Sequence, residues 1–168
     1  MRRCLFEPEH VDFRESARRF VAEEVTPHQA AWEADGIVDR ALFTKAAAKG
    51  MLGMQVPEEY GGPGVDDFRF NQIVGEELGS GGAGGSGLGL TLHNDICLPY
   101  FLDLCDDEQK ARWLPGIGDG SLITAVAMTE PEMGSDLAGL RTTALRDGDG
   151  YVVNGSKTFI TKIGRAHV

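Results

Sequence analysis

The stretch Ala125-Val126-Ala127-Met128-Thr129-Glu130-Pro131-Glu132-Met133-Gly134-Ser135-Asp136 decides how the rest of the chain is read. It opens as a short apolar run, passes through Thr129 and breaks at Pro131 and Gly134, the pattern of a strand running into a ligand-facing loop. Proline has no amide to give to a central ladder, so the strand must stop there. Beyond the break, Thr129, Gly134 and Ser135 offer the amides and hydroxyls that a planar polar cofactor or a phosphate needs for hydrogen bonds.

Upstream of this stretch the periodicity is helical. Pro8 suits a first helical position, and Phe13, Ala17, Phe20 and Val21 recur at helical spacing, which predicts an amphipathic helix interrupted near Pro27. A second helix is predicted from an Asp39 N-cap to Gly50, and a third carries Phe70, Ile73, Val74 and Leu78 on its inner face. Between them, Val56-Pro57-Glu58-Glu59-Tyr60-Gly61-Gly62-Pro63-Gly64 is dense in turn residues and reads as a loop. Residues 88–101 are largely apolar, broken by His93, Asn94 and Asp95. Asp106 and Gln109 form a capping-box pattern that opens a helix ending at Gly118.

Gly82-Ala83-Gly84-Gly85-Ser86-Gly87 matches the bare G-x-G-x-x-G pattern of dinucleotide-binding folds. That fingerprint needs a strand immediately before it, to aim the next helix at a pyrophosphate. A helix-period segment precedes it here, so it reads as a helix connection and not as a nicotinamide site.

Near Gly118-Asp119-Gly120 the period changes to that of strands. Residues 141–146 read as a strand, Asp147-Gly148-Asp149-Gly150 as a turn and Tyr151-Val152-Val153 as its partner. Asn154-Gly155 is a second hairpin signal, predicted to return residues 157–161 as a strand beside residues 126–129. The expected fold is therefore an all-α N-terminal domain over residues 1–119, followed by the start of an antiparallel β-barrel domain over residues 120–161.

Composition narrows the function classes. The 168 residues carry a formal net charge of −10, with Lys and Arg dispersed, which argues against a nucleic-acid groove. Hydrophobic residues make up 42%, enough for a core. Cys4, Cys97 and Cys105 have neither metal-ligand spacing nor an even count, as suits a reducing cytoplasm, and no apolar run of about 18 residues exists to span a membrane.

The run from Met128 to Asp136 resembles the first signature of the acyl-CoA dehydrogenases, M-T-E-P-x-x-G-S-D-L-x-G. A second family element, G-[SN]-K-x-[FW]-I-[TS], is matched by Gly155-Ser156-Lys157-Thr158-Phe159-Ile160-Thr161, and the segment from Gly53 to Gly62 resembles the family's G-x-x-V-P-x-x-Y-G-G connection. Ala-Met-Thr-Glu-Pro with Lys-Thr-Phe-Ile-Thr leans toward long-chain-like bacterial members. Glu132-Met133 stands where Gly-Ala is common, and Phe159 where many members have Trp.

The resemblance implies FAD as cofactor. The backbone around Val126 and Met128 and the Thr129 hydroxyl would contact the isoalloxazine, with Thr129 and Thr161 at its edge, Phe159 against its plane and Ile160 beside it. Gly134 and Ser135 would reach the pyrophosphate, and Ser135 the acyl-CoA as well. The helix of residues 88–101 would line the acyl channel through Leu90, Leu92, His93 and Ile96. A lone His on such a face is more often a core residue than a catalyst, so no chemistry is assigned to His93.

For the intact parent the resemblance implies α,β-dehydrogenation of an acyl-CoA thioester to trans-2-enoyl-CoA in fatty acid β-oxidation. Electrons would pass to an electron-transfer flavoprotein, and the assembly would be a homotetramer. Its catalytic Glu lies in the family's C-terminal helical domain, so none of these residues is nominated; Glu130 reads as a structural part of the signature loop. The stretch by itself is expected to be inactive. Two other classes share these motifs: a flavin acyl-CoA oxidase, distinguished by peroxide formation, and a non-catalytic acyl-CoA or nucleic-acid-binding member of the fold.

The family pattern stops after Thr161. Lys162-Ile163-Gly164-Arg165-Ala166-His167-Val168 ends in a peptide that a common sequencing adapter encodes in one frame, so residues 162–168 are expected to be a non-native tail. Sequencing source DNA across the codons for Thr161 and Lys162 should show the adapter match ending at that junction; continuous coding sequence through it would disprove this.

Overall fold

The computed structural model describes residues 4–161. Helix α1 (Pro8–Phe20) begins at the predicted proline and buries Ala17 and Phe20. Its winding continues through a π-turn (Val21–Val25) and a 3-10 turn (Thr26–His28) into α2 (Gln29–Asp35). Pro27 accounts for the change of pitch. It lacks an N–H and its ring crowds the carbonyl four residues back, so the helix widens just before it.

Helix α3 (Ala41–Ala48) is opened by Asp39, whose Oδ1 accepts the Ala41 amide at 2.9 Å. Helix α4 (Arg69–Ser80) buries Ile73, Val74 and Leu78 and packs along α1. Arg14 and Arg18 of α1 both donate to the buried Glu77 of α4, at 2.8 and 3.0 Å, so the charge that α4 takes inside is paired there.

The glycine-rich segment 82–87 joins α4 to α5 (Gly84–Thr91), so a helix and not a strand precedes it. A Cβ on Gly87 would lie 2.6 Å from Leu78 Cδ2, which gives one glycine of the pattern a packing reason. From α5 the helical path runs through a second π-turn (Leu92–Cys97) into α6 (Leu98–Leu104), which carries Pro99 in its first turn. The device seen at Pro27 is thus repeated. Helix α7 (Asp107–Gly118) has the predicted capping box: Asp106 Oδ1 accepts the Gln109 amide at 2.8 Å, and Gln109 Oε1 accepts the Asp106 amide at 3.1 Å.

These helices enclose two apolar clusters. The larger is built on Phe20, Phe43, Met51, Ile73 and Leu90; the smaller joins Val56 of the turn-rich loop to Leu98, Leu114 and Ile117. The loop predicted from its glycines is therefore anchored by its one valine, which is fully buried.

Past Gly120, β1 (Thr143–Asp147) and β2 (Gly150–Asn154) pair antiparallel, with Leu145 opposite Val152 and Asp147 opposite Gly150. Among the described residues this is the whole sheet. Residues 126–129 and 157–161, predicted as neighbouring strands, join no ladder; a strand assignment needs repeated backbone pairing, and a single backbone bond, Thr158 N–H to Thr129 O at 2.9 Å, links them. Residues 162–168 lie outside the described residues.

Two glycines separate backbone strain from packing. Gly61 has φ +85° and open space around its missing Cβ, whereas Gly53 has φ +67° and a Cβ there would lie 2.5 Å from Gly118 Cα. Gly61→Ala should cost about 1 kcal/mol in urea unfolding, the left-handed penalty alone. Gly53→Ala should cost distinctly more, and equal losses would disprove the close contact.

Candidate functional site

The π-turn of residues 92–97 sets two neighbouring polar side chains into the interior. Asn94 donates to Met51 O at 2.9 Å and accepts the Gly53 amide at 2.9 Å, fixing the start of the loop that leads to Val56. His93, fully buried, donates from Nε2 to Ile117 O at 3.0 Å. Its Nδ1 receives the Thr124 hydroxyl at 2.9 Å and the Thr124 amide at 3.4 Å. That histidine therefore ties the end of α7 to the residue immediately before the signature stretch.

From Thr124 the chain runs to Thr129 without helix or ladder and then reverses sharply. Glu130 N–H donates to Met133 O and Met133 N–H to Glu130 O, each at 3.1 Å, closing a four-residue turn around Pro131. The reversal leaves Gly134, Ser135 and Asp136 exposed.

Glu130 organises the segment beyond this turn. Its side chain, in a residue only 4% exposed, accepts the Arg141 amide on Oε2 at 2.8 Å and the Thr142 amide on Oε1 at 2.9 Å, closing the loop from 131 to 140. Lys157 Nζ donates to the same Oε1 at 2.9 Å and to Met128 O at 3.0 Å. The buried Thr142 hydroxyl makes no well-formed hydrogen bond of its own, yet its proximity most favours charge on Glu130, ahead of the Arg141 amide and the Lys157 ammonium. Together they outweigh burial and hold the carboxyl down at about 2.

The structure brings the two sequence motifs side by side, through Thr158 on Thr129 and Lys157 on Met128. Val126, Met128 and Thr129 are half-buried, as are Ile160 and Thr161. Phe159 is 91% exposed and has φ +53°, a left-handed conformation that bulky residues rarely adopt. On the helical side, Ile96 and its neighbours Asp95, Pro99, Tyr100, Asp103 and Leu104 line a surface groove of about 380 Å³. Burial pushes the Asp95 carboxyl above its ordinary range, opposed by the Asn71 amide, which donates to it at 2.6 Å. Leu92 is half-buried, Leu90 is in the core, and His93 faces Phe43 and Thr124 in the interior, not the groove.

Residues 7–121 match the family model described as acyl-CoA dehydrogenase, N-terminal domain, and residues 125–168 match that of the acyl-CoA dehydrogenase middle domain. The chain belongs to the acyl-CoA dehydrogenase family. It is 45% identical over 159 residues to the mitochondrial long-chain specific acyl-CoA dehydrogenase of Sus scrofa, a match covering 95% of this chain and 36% of that protein. The crystal structure of an acyl-CoA dehydrogenase from Geobacillus kaustophilus superposes with a TM-score of 0.88 at 46% identity, over 95% of this chain and 41% of that one. An acyl-CoA dehydrogenase complexed with FAD from Bacillus anthracis superposes at 0.82 with 32% identity, over 96% of this chain and 28% of that one. The chain thus spans well under half the length of these relatives.

Within this acyl-CoA dehydrogenase chain, sequence reasoning quoted Lys157 as a motif letter without a role, and it missed Asn94 and Thr124. The available signal for Lys157 was opposite charge: a lone Lys in one motif and a Glu in the other, each flanked by uncharged residues. Nothing local marks Asn94, because its partners lie 41 and 43 positions away.

The Glu130 carboxyl is depressed in the folded protein, so its contribution to stability is complete above its ordinary value near 4.5 and fades as pH falls toward 2. The stability advantage of wild type over Glu130→Gln, measured by urea unfolding, should be constant above pH 4.5 and shrink between pH 4.5 and 2. An advantage that does not change across that window would contradict the assigned contacts.

Proposed function

We propose that the whole protein is an FAD-dependent dehydrogenase that converts an acyl-CoA thioester to its trans-2-enoyl product, and that the described residues build the flavin-binding part of its site. The observation that carries this is the meeting of the two signature motifs: residues 128–129 and 157–158, far apart in sequence, are joined by a backbone and a side-chain hydrogen bond. Among the described residues, the backbone amides of Val126, Met128 and Thr129 donate no hydrogen bond, so open donors line the segment where a polar ring edge would lie. The fit extends to Phe159, whose exposed ring and left-handed backbone suit a residue awaiting a flat partner.

In this reading Val126, Met128, Thr129, Ile160 and Thr161 border the isoalloxazine, and Gly134 and Ser135 meet the pyrophosphate. FAD, when bound, supplies the acceptor for the hydride that leaves the substrate β-carbon. The chain's own residues orient that acceptor and keep its edge hydrogen-bonded. As the family resemblance implies, the α-proton goes to a carboxylate outside these residues; Glu130 is ill suited to take it, because it is buried and its carboxyl is held well below its ordinary range. Ile96, with Leu92 on the same π-turn, forms the wall offered to the acyl chain, and the groove beside Ile96 is its opening. Electron-transfer flavoprotein as electron acceptor, a homotetrameric assembly and a cytoplasmic setting complete the proposal. Among the described residues no helix is long and apolar enough to cross a membrane.

The test is spectroscopic. The whole protein should purify with a visible flavin spectrum that bleaches when acyl-CoA is added anaerobically, yielding trans-2-enoyl-CoA. Thr129→Val should weaken flavin affinity about tenfold, near 1.4 kcal/mol, the scale of one or two hydrogen bonds. Protein that refolds with FAD yet shows no spectral response to any acyl-CoA would refute the assignment.

A further inference from the structure

Peptide geometry at Met128 points to a role for the pair Lys157 and Glu130 beyond holding a loop. A trans peptide sets its C=O and the following N–H antiparallel. Lys157 Nζ holds Met128 O at 3.0 Å, so the amide of Thr129, in the same peptide plane, is turned to the opposite side. Among the described residues that amide is unbonded. The Lys side chain does not choose this direction alone, since an ammonium on four rotatable carbons is free to swing. Glu130 Oε1 fixes it at 2.9 Å, and Glu130 is itself held by the Arg141 and Thr142 amides.

We propose that Lys157 and Glu130 form an ionic clasp that aims the Thr129 amide at the flavin edge, making both of them positioning residues. The inference rests on the flavin reading above and adds to it the device that orients the donor. The buried carboxylate fits this role because a charged pair locked by backbone amides tolerates little rotation. The carbonyl it directs, on Met128, immediately precedes the residue whose donor faces the ligand. The neighbouring Thr158 N–H to Thr129 O bond holds the next peptide in the same frame. Loss of the Lys157 ammonium would remove the Met128 carbonyl's partner, and loss of the Glu130 charge would free that ammonium to swing away; either releases the peptide.

The experiment compares wild type, Lys157→Met, Glu130→Gln and Lys157→Arg in the whole protein, with two readouts. Amide hydrogen exchange follows Thr158, Arg141 and Thr142, with Ile73 of α4 and Val152 of β2 as controls. Titration with FAD, followed by flavin fluorescence, gives affinity. In Lys157→Met and Glu130→Gln, exchange at Thr158 should rise at least tenfold with the controls unchanged, and FAD affinity should fall at least tenfold. Lys157→Arg, which keeps the charge, should recover most of both.

Unchanged Thr158 exchange together with unchanged FAD affinity in Lys157→Met would overturn the clasp, as would a parallel rise at Ile73 and Val152, which marks general destabilisation. Whole wild-type protein that is folded and protected at these amides but takes up no FAD would instead overturn the flavin reading, and the positioning role with it.

Discussion

Three parts of this protein converge on two adjacent side chains. His93 and Asn94 lie inside a single π-turn, and both side chains are directed to the interior. Asn94 holds residues 51 and 53 of the larger core's loop, and His93 holds the last turn of α7 and the start of the signature stretch. Buried polar groups of this kind are costly when unpaired, so each bond they make also forbids the alternatives. The Thr124 contact fixes where segment 124–129 leaves the helices.

From that anchor the signature segment proceeds to a second buried polar centre, Glu130. The two centres work in different ways. At His93 and Asn94 the groups are neutral and the partners are mostly backbone, which suits a fixed joint inside an apolar interior. At Glu130 the group is charged, and two amides and an ammonium converge on it. The same convergence that keeps this carboxylate ionised makes it a weak proton acceptor, and burial keeps it from reach. A glutamate in a signature motif thus serves here to hold its own loop and the second motif together.

The helical and β parts differ in how they hold themselves together. The helices close around apolar clusters whose central members are almost wholly buried. The hairpin of β1 and β2 is exposed on both faces, with Leu145 and Val152 on one and Tyr151 and Val153 on the other. Apolar side chains exposed in this way are ones that further layers cover in a folded domain.

What the sequence determined by itself is local. Helix starts and stops at Pro8, Asp39, Asp106 and Gly118, the inner faces of α1 and α4, and the turn between β1 and β2 each follow from residues within a few positions of one another. The family motifs were legible for the same reason: they are short, ordered strings. What only the tertiary structure decided involves partners tens of residues apart. The turn of His93 away from the groove, the grip of Asn94 on Gly53, the bonding of Lys157 to Met128 and Glu130, and the failure of residues 126–129 and 157–161 to form a ladder all belong here. Capping and turn formation are contests over a few dihedral angles that neighbouring side chains settle, whereas a buried hydrogen bond between distant residues exists only once packing has expelled the water that would otherwise compete for it.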